Sequence, residues 1–109
     1  MIVLIFTSCS NDGVMIKIRN NSGKPISDIS LYYTGGVKRI NTLFNMQSWE
    51  GNLNPSGEST LKIELFDNEN KKYFSIIDVY FEKGYSGYID IKIDSTYKVS
   101  YKNHIKSTI

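Results

Sequence analysis

Chemistry needs side chains that can converge, and this chain has few of the reactive kinds. It carries one histidine and one cysteine: His104 near the C-terminal end and Cys9 near the N-terminal end. Nucleophilic catalysis requires a nucleophile, a base and an orienting group in one place. His104, near a frayed end and far along the chain from the only thiol, reads as a structural or solvent-exposed imidazole. Zinc sites ask for three or four Cys, His or carboxylate ligands, and the sequence groups none at such spacing. Asp67-Asn68-Glu69-Asn70 sets oxygen ligands in series, and calcium takes about six to eight of those. The run lacks the spaced loop closed by a bidentate glutamate and reads as a hairpin turn. Asp78 with Glu82, and Asp90 with Asp94, are spaced to share a strand face, the raw material of glycosidase chemistry. Lys83 and Lys92 stand beside them, so ordinary surface charge is the simpler reading. No glycine-rich phosphate loop is present. The chain is expected to be non-catalytic, with no metal and no cofactor.

Aromatic side chains are the chemistry left over. There are eight tyrosines, five phenylalanines and one tryptophan, most of which a small core will consume. Tyr80, Tyr85 and Tyr88 flank one turn together with Glu82, while Tyr32, Tyr33 and Trp49 fall elsewhere. Exposed Tyr and Trp are enriched at the centres of binding interfaces, so Tyr32, Trp49, Tyr80, Tyr85 and Tyr88 form the candidate binding surface. A protein partner is the first expectation. The alternative is a glycan, with sugar rings stacked on Trp49 and exposed tyrosines.

Charge narrows the partners further. The 109 residues hold 13 Lys and Arg against 11 Asp and Glu, a net charge of +2. A nucleic-acid footprint would concentrate basic residues on one face or element. Here the basic doublets are Lys38-Arg39 and Lys71-Lys72, both beside turns. No nucleic-acid partner is expected.

These side chains must be positioned by strands, because the apolar pattern has period 2 almost throughout. In 14–19, Val14, Ile16 and Ile18 alternate with Met15, Lys17 and Arg19, the mark of a half-buried strand. Asn20-Asn21-Ser22-Gly23-Lys24-Pro25 concentrates turn residues. Ile29, Leu31 and Tyr33 give a second strand that stops at Gly35-Gly36, and 37–43 pairs back as a hairpin. Residues 44–57 read as an irregular loop carrying Trp49. Leu61, Ile63 and Leu65 mark the clearest strand. In 72–82 both faces are apolar, Tyr73, Ile77, Val79 and Phe81 against Phe74, Ile76 and Tyr80, which suits a central strand covered on each side. Strands over 88–93 and 96–102 follow, and 103–109 is expected to fray. Seven short strands with regularly spaced turn signals predict an all-β domain. At this length an antiparallel two-sheet sandwich over 14–102 is expected, its sheets roughly 10 Å apart. The alternation of strands and the Pro-x-Gly turn at Pro55 resemble immunoglobulin-like or prealbumin-like domains in architecture, without the Cys and Trp marks of true immunoglobulin domains. Such a likeness transmits no function.

The first dozen residues break the period. Met1 to Phe6 is uniformly apolar, then Thr7 and Ser8 lead to Cys9, and Ser10-Asn11-Asp12-Gly13 is polar and turn-forming. An apolar run is too short to span a bilayer when it falls well under about 20 residues. Phe6-Thr7-Ser8-Cys9 resembles the end of a bacterial lipoprotein signal, where an apolar residue and two small ones precede an invariant cysteine. The pattern lacks a basic n-region, and its apolar stretch is shorter than the roughly 7 to 15 residues of a secretory signal. The expectation is that the true start lies upstream of Met1. The resemblance implies that 1–8 is signal, that Cys9 is lipidated and that 9–13 is a tether. It implies a membrane partner through Cys9 and a place in the bacterial cell envelope, facing the periplasm or the cell surface. An immunity-type or accessory lipoprotein fits this size and class.

Overall fold

Inward-pointing Ile, Leu and Val on alternate positions decide the architecture. The computed structural model describes residues 13–107, and the signal segment 1–8, Cys9 and most of the 9–13 tether lie outside them. Eight strands follow in order: β1 Val14–Asn20, β2 Ser27–Tyr33, β3 Gly36–Ile40, β4 Ser48–Leu53, β5 Ser59–Phe66, β6 Lys72–Phe81, β7 Ser86–Ile93 and β8 Val99–Lys106. They form two four-stranded sheets, β4-β1-β7-β8 and β3-β2-β5-β6. The expected all-β two-sheet sandwich is the observed fold.

The core lies between the sheets. Val14, Ile16 and Ile18 of β1 and Ile89, Ile91 and Ile93 of β7 are fully buried against Leu31, Leu61 and Ile63 of the other sheet. Burying each such side chain contributes about 1.5–3 kcal/mol. Their outward neighbours Met15, Tyr88 and Lys92 are exposed. Asn20 is the polar exception in the interior. Its side-chain amide donates to the carbonyls of Lys24 and Leu43, both at 2.8 Å, and its Oδ1 accepts the Ser22 amide at 2.9 Å. With every group matched, burial costs little.

Several expectations need correction. β4 is an eighth strand, formed where a loop was expected, and it pairs antiparallel with β1, Trp49 opposite Ile18 and Leu53 opposite Val14. Its inward positions are Trp49, Gly51 and Leu53, and the glycine hides the period. Glycine leaves room for the indole, because a Cβ at Gly51 would meet the Trp49 ring at 2.5 Å and one of the two would have to shift. β6 is an edge strand, not a central one. Its second apolar face is uncovered, leaving Phe74, Ile76 and Tyr80 at 53%, 64% and 47% exposure. β8 runs Val99–Lys106, into the 103–109 segment expected to fray, and places His104 opposite Tyr88. β3 stops at Ile40, and Leu43 instead bridges to Ile26. The β2–β3 turn uses Gly35 alone at φ 102°, and Gly36 is already strand. Finally, β1 and β7 run parallel, while the other described pairs are antiparallel.

Strand directions give the sandwich two unlike poles. β1 and β7 both start at one pole and end at the other, so Gly13, the β6–β7 turn and the end of β8 share the first. Residues 54–58 between β4 and β5 lie there too, by the antiparallel run of β4 along β1. The second pole gathers the β1–β2 and β3–β4 loops and the turns at Asp67 and Asp94.

Candidate binding surfaces

Those two turns show what the acidic residues do. Asp67 Oδ1 accepts the amides of Glu69 and Lys71 at 2.8 and 2.9 Å, and its Oδ2 accepts the Tyr73 hydroxyl at 3.2 Å. Asp94 Oδ1 accepts the amides of Thr96 and Lys98 and the Thr96 hydroxyl, at 2.8–3.0 Å. The same backbone bonds close both, from the first residue to the fifth and from the fourth back to the first. Residues Asn70 and Tyr97 take the left-handed fourth position at φ 64° and 63°. Lys71's amide is the main cause holding the Asp67 carboxyl below its ordinary range, and Thr96's hydroxyl the main cause for Asp94. The Asp67 run is thus a turn whose carboxylate is taken by the backbone. Asp94 likewise commits its Oδ1 to its own turn. Among the described residues no three His, Cys, Asp or Glu side chains cluster for a metal.

The five candidate aromatics divide among four places. Tyr80 and Tyr85 meet edge to face, ring centroids 6.1 Å apart. The Tyr80 hydroxyl bonds Glu82, and that bond is the first cause pushing its pKa up to about 12. Tyr85 also lines a cavity of about 580 Å³ at the first pole with Gly13, Asn54, Pro55, Lys83 and Gly84. Tyr88 lies on the outer face of the other sheet, stacked on His104 at 4.5 Å. Register sets Asn52, Met15, Tyr88 and His104 side by side across β4, β1, β7 and β8. The next row is Glu50, Lys17, Asp90 and Lys102, alternating in sign, a favourable cross-strand pattern. That row accounts for Asp90 as surface charge. Tyr32 sits on the outer face of the second sheet, its hydroxyl donating to Glu64 at 3.4 Å, beside a hollow of about 190 Å³. Trp49 is half-buried, packed on the core and laid over Gly51, so it presents little free ring face.

One place was not anticipated. The β3–β4 loop at the second pole holds Phe44 and Met46 at 55% and 57% exposure. Its backbone is bonded at Leu43, Phe44, Met46 and Gln47. Leu43 and Ile26 exchange amide–carbonyl bonds of 2.8 and 3.0 Å, the Met46 amide donates to Asn20 O at 2.6 Å, and the Asn20 amide donates to Gln47 O at 3.0 Å. Asn45 Oδ1 accepts the Gly23 amide, and Gln47 Oε1 accepts the Phe44 amide, each at 2.9 Å. Met46 is held at φ 70°, a conformation costly for a residue other than glycine. The only available sequence signal was a pair of large apolar residues inside a polar, turn-rich segment, and without periodicity it pointed nowhere.

Comparison with known proteins places the fold alone. The chain is similar to the solved NMR structure of a protein from Eubacterium rectale, with a TM-score of 0.61 at 15% identity, over 85% of this chain and 88% of that one. No family model matches the chain, and no curated protein does.

Proposed function

We propose that the chain is a non-catalytic, lipid-anchored protein-binding module of a bacterial cell envelope. The supporting observation is the arrangement of its poles. Gly13 stands four positions after Cys9 and in the wall of the first-pole cavity. Four extended residues reach no more than about 14 Å, so a membrane holding Cys9 would face this pole. The loops of the second pole would then point away from it, where loops on a rigid scaffold commonly carry recognition. Two acyl chains would make such an anchor stable, at about 0.8 kcal/mol for each buried methylene. Labelled fatty acid should enter the wild type, expressed with a complete upstream signal, and leave Cys9→Ala unlabelled and in the soluble fraction. Equal labelling of both proteins would end the anchor reading.

A further inference from the structure

We infer that β6 is a pairing edge for a second copy of this chain, the two strands meeting antiparallel with Ser75 opposite Ser75, Phe74 opposite Ile76 and Lys72 opposite Asp78. The inference rests neither on an anchor at Cys9 nor on capture of a different protein.

The edge strands are not alike. Among the described residues β3, β4, β6 and β8 end the two sheets, and a free edge is commonly blunted by short length, charge or an inward-pointing charged side chain. β3 has 5 residues and carries Lys38, half-buried, on the same face as Ile40. β4 holds Glu50 beside Gly51, and β8 presents Lys102, His104 and Lys106. β6 is the longest strand at 10 residues, and its run Tyr73-Phe74-Ser75-Ile76-Ile77 has no charge, proline or glycine. Phe74 and Ile76 stand exposed along it.

Backbone direction decides which residues can pair. Register with β5 is unbroken from Lys72 to Ile77, and successive residues of such a strand alternate in which neighbour their amides and carbonyls face. The Asp78 amide donates to the Tyr101 hydroxyl at 3.2 Å, and the same hydroxyl lies 3.5 Å from Asp78 O. Asp78 therefore faces away from β5, and with it Ile76, Phe74 and Lys72. Tyr101 covers Asp78, which leaves Phe74 and Ile76 turned to the open edge. An antiparallel partner must set outward-facing residues opposite one another. Phe74 against Ile76 of the second copy meets that rule, twice over by symmetry. It also sets Ser75 against Ser75 where Cα atoms approach to about 4.5 Å, a distance that suits so small a side chain.

Charge selects the register and the occupant. Lys72 of each copy then lies opposite Asp78 of the other, two pairs of opposite sign flanking an apolar centre, a favourable cross-strand arrangement. The adjacent registers of the same facing set Lys72 opposite Ile76 or Tyr80 and leave Asp78 without a cation. Lys72 meets Glu64 of its own chain at 3.3 Å and is still 58% exposed, and an ammonium has three donors to share. The strand is thus complementary to itself, and a contact that uses the same edge on both copies closes at two. Antiparallel pairing sets the poles of the copies at opposite ends, so copies also held through Cys9 would sit on two facing surfaces.

The test is analytical ultracentrifugation of the full chain carrying Cys9→Ala, which removes lipid and native thiol together. The expected result is a concentration-dependent species of about twice the 12.5 kDa of the chain, and nothing larger. Lys72→Glu and Asp78→Lys should each weaken that dimer at least about tenfold, since each sets like charges opposite one another twice. An equimolar mixture of the two variants should recover it, because the signs are again opposite between unlike chains. Added to Cys9→Ala, Ser75→Cys should form a disulfide-linked dimer on mild oxidation, whereas Ser100→Cys on β8 should not. Unchanged Trp49 fluorescence reports that each variant is folded. A monomer at every concentration, a dimer indifferent to both charge substitutions, a mixture that recovers nothing, or assemblies that grow past two overturns the inference.

Discussion

The ring of Tyr73 lies against the ring of Tyr97, centroids 4.7 Å apart and 26° from parallel. Tyr73 belongs to β6 of one sheet, and Tyr97 to the turn before β8 of the other. The Tyr73 hydroxyl continues to Asp67, so the pair clasps two turns of matching design across the open side of the sandwich. Farther along the same side, the Tyr101 hydroxyl accepts the Asp78 amide at 3.2 Å. A double-mutant cycle on Tyr73→Ala and Tyr97→Ala should return a coupling of about 0.5–1.5 kcal/mol, the usual worth of an aromatic pair. Additive losses in urea unfolding would mean that the rings touch without holding.

Acid should loosen these turns. The carboxyls of Asp67 and Asp94 are both held below the ordinary aspartate value of 3.8 in the folded state. Their contribution is therefore complete above that value and is lost as pH falls through the lower folded pKa values. Unfolding free energy should decline below about pH 4, and Asp67→Asn with Asp94→Asn should flatten that decline. Urea midpoints measured from pH 7 down to pH 2 decide the matter.

Gly51→Ala should destabilise the domain by about 1–3 kcal/mol, as overpacking does, because the added methyl meets the Trp49 ring. The fluorescence of Trp49, the single tryptophan, should shift with it. In a Trp49→Leu background the same substitution should cost much less, and an equal cost there would rule out the indole as the cause.

Asn20→Ala should cost about 1–3 kcal/mol, since it leaves the Ser22 amide unmatched and removes one of two bonds from each of the carbonyls of Lys24 and Leu43. It should also raise amide exchange at Met46 and Gln47, where the loop leans on Asn20. Loss of stability without faster exchange in the loop would separate the two effects.

Ile76→Lys should change stability by no more than about 0.5 kcal/mol, the range of ordinary surface substitutions. Its side chain is among the most exposed apolar ones on the edge strand β6, and charge on an edge guards against strand-to-strand association. Light scattering during refolding should fall in the variant. Unchanged scattering would indicate that another surface drives association.

The strands that alternate cleanly were legible because each carries its burial in its own residues. Val14, Ile16 and Ile18, or Leu61, Ile63 and Leu65, report a face without help from neighbours. β4 was hidden because its middle inward residue is a glycine whose space is filled by Trp49, a relation between two side chains that composition does not express. β6 misled because two apolar faces suit a central strand, whereas here one face meets the core and the other meets water. The position of His104 depended on β7 extending β8, a pairing read from no local pattern. Of the candidate aromatics, the contact of Tyr80 with Tyr85 followed from their shared turn. The dispersal of Tyr32, Trp49 and Tyr88 followed from sheet order, and the exposure of Phe44 and Met46 from hydrogen bonds to loops distant in sequence.

The parallel pairing of β1 with β7 sets an order of assembly. β2, β3, β5 and β6 form hairpins and near neighbours that can close soon after they are made. β1, the earliest described strand to be synthesised, must wait for Tyr88 to Ile93 before its second edge is filled. Pairings so distant along the chain are slow to form, and until then Ile16 and Ile18 have only β4 beside them. A chain shortened before β7 would retain the second sheet and yet leave its own first strand half-paired. The strand nearest the proposed anchor thus waits for one of the latest made, and its second edge fills only once most of the domain exists.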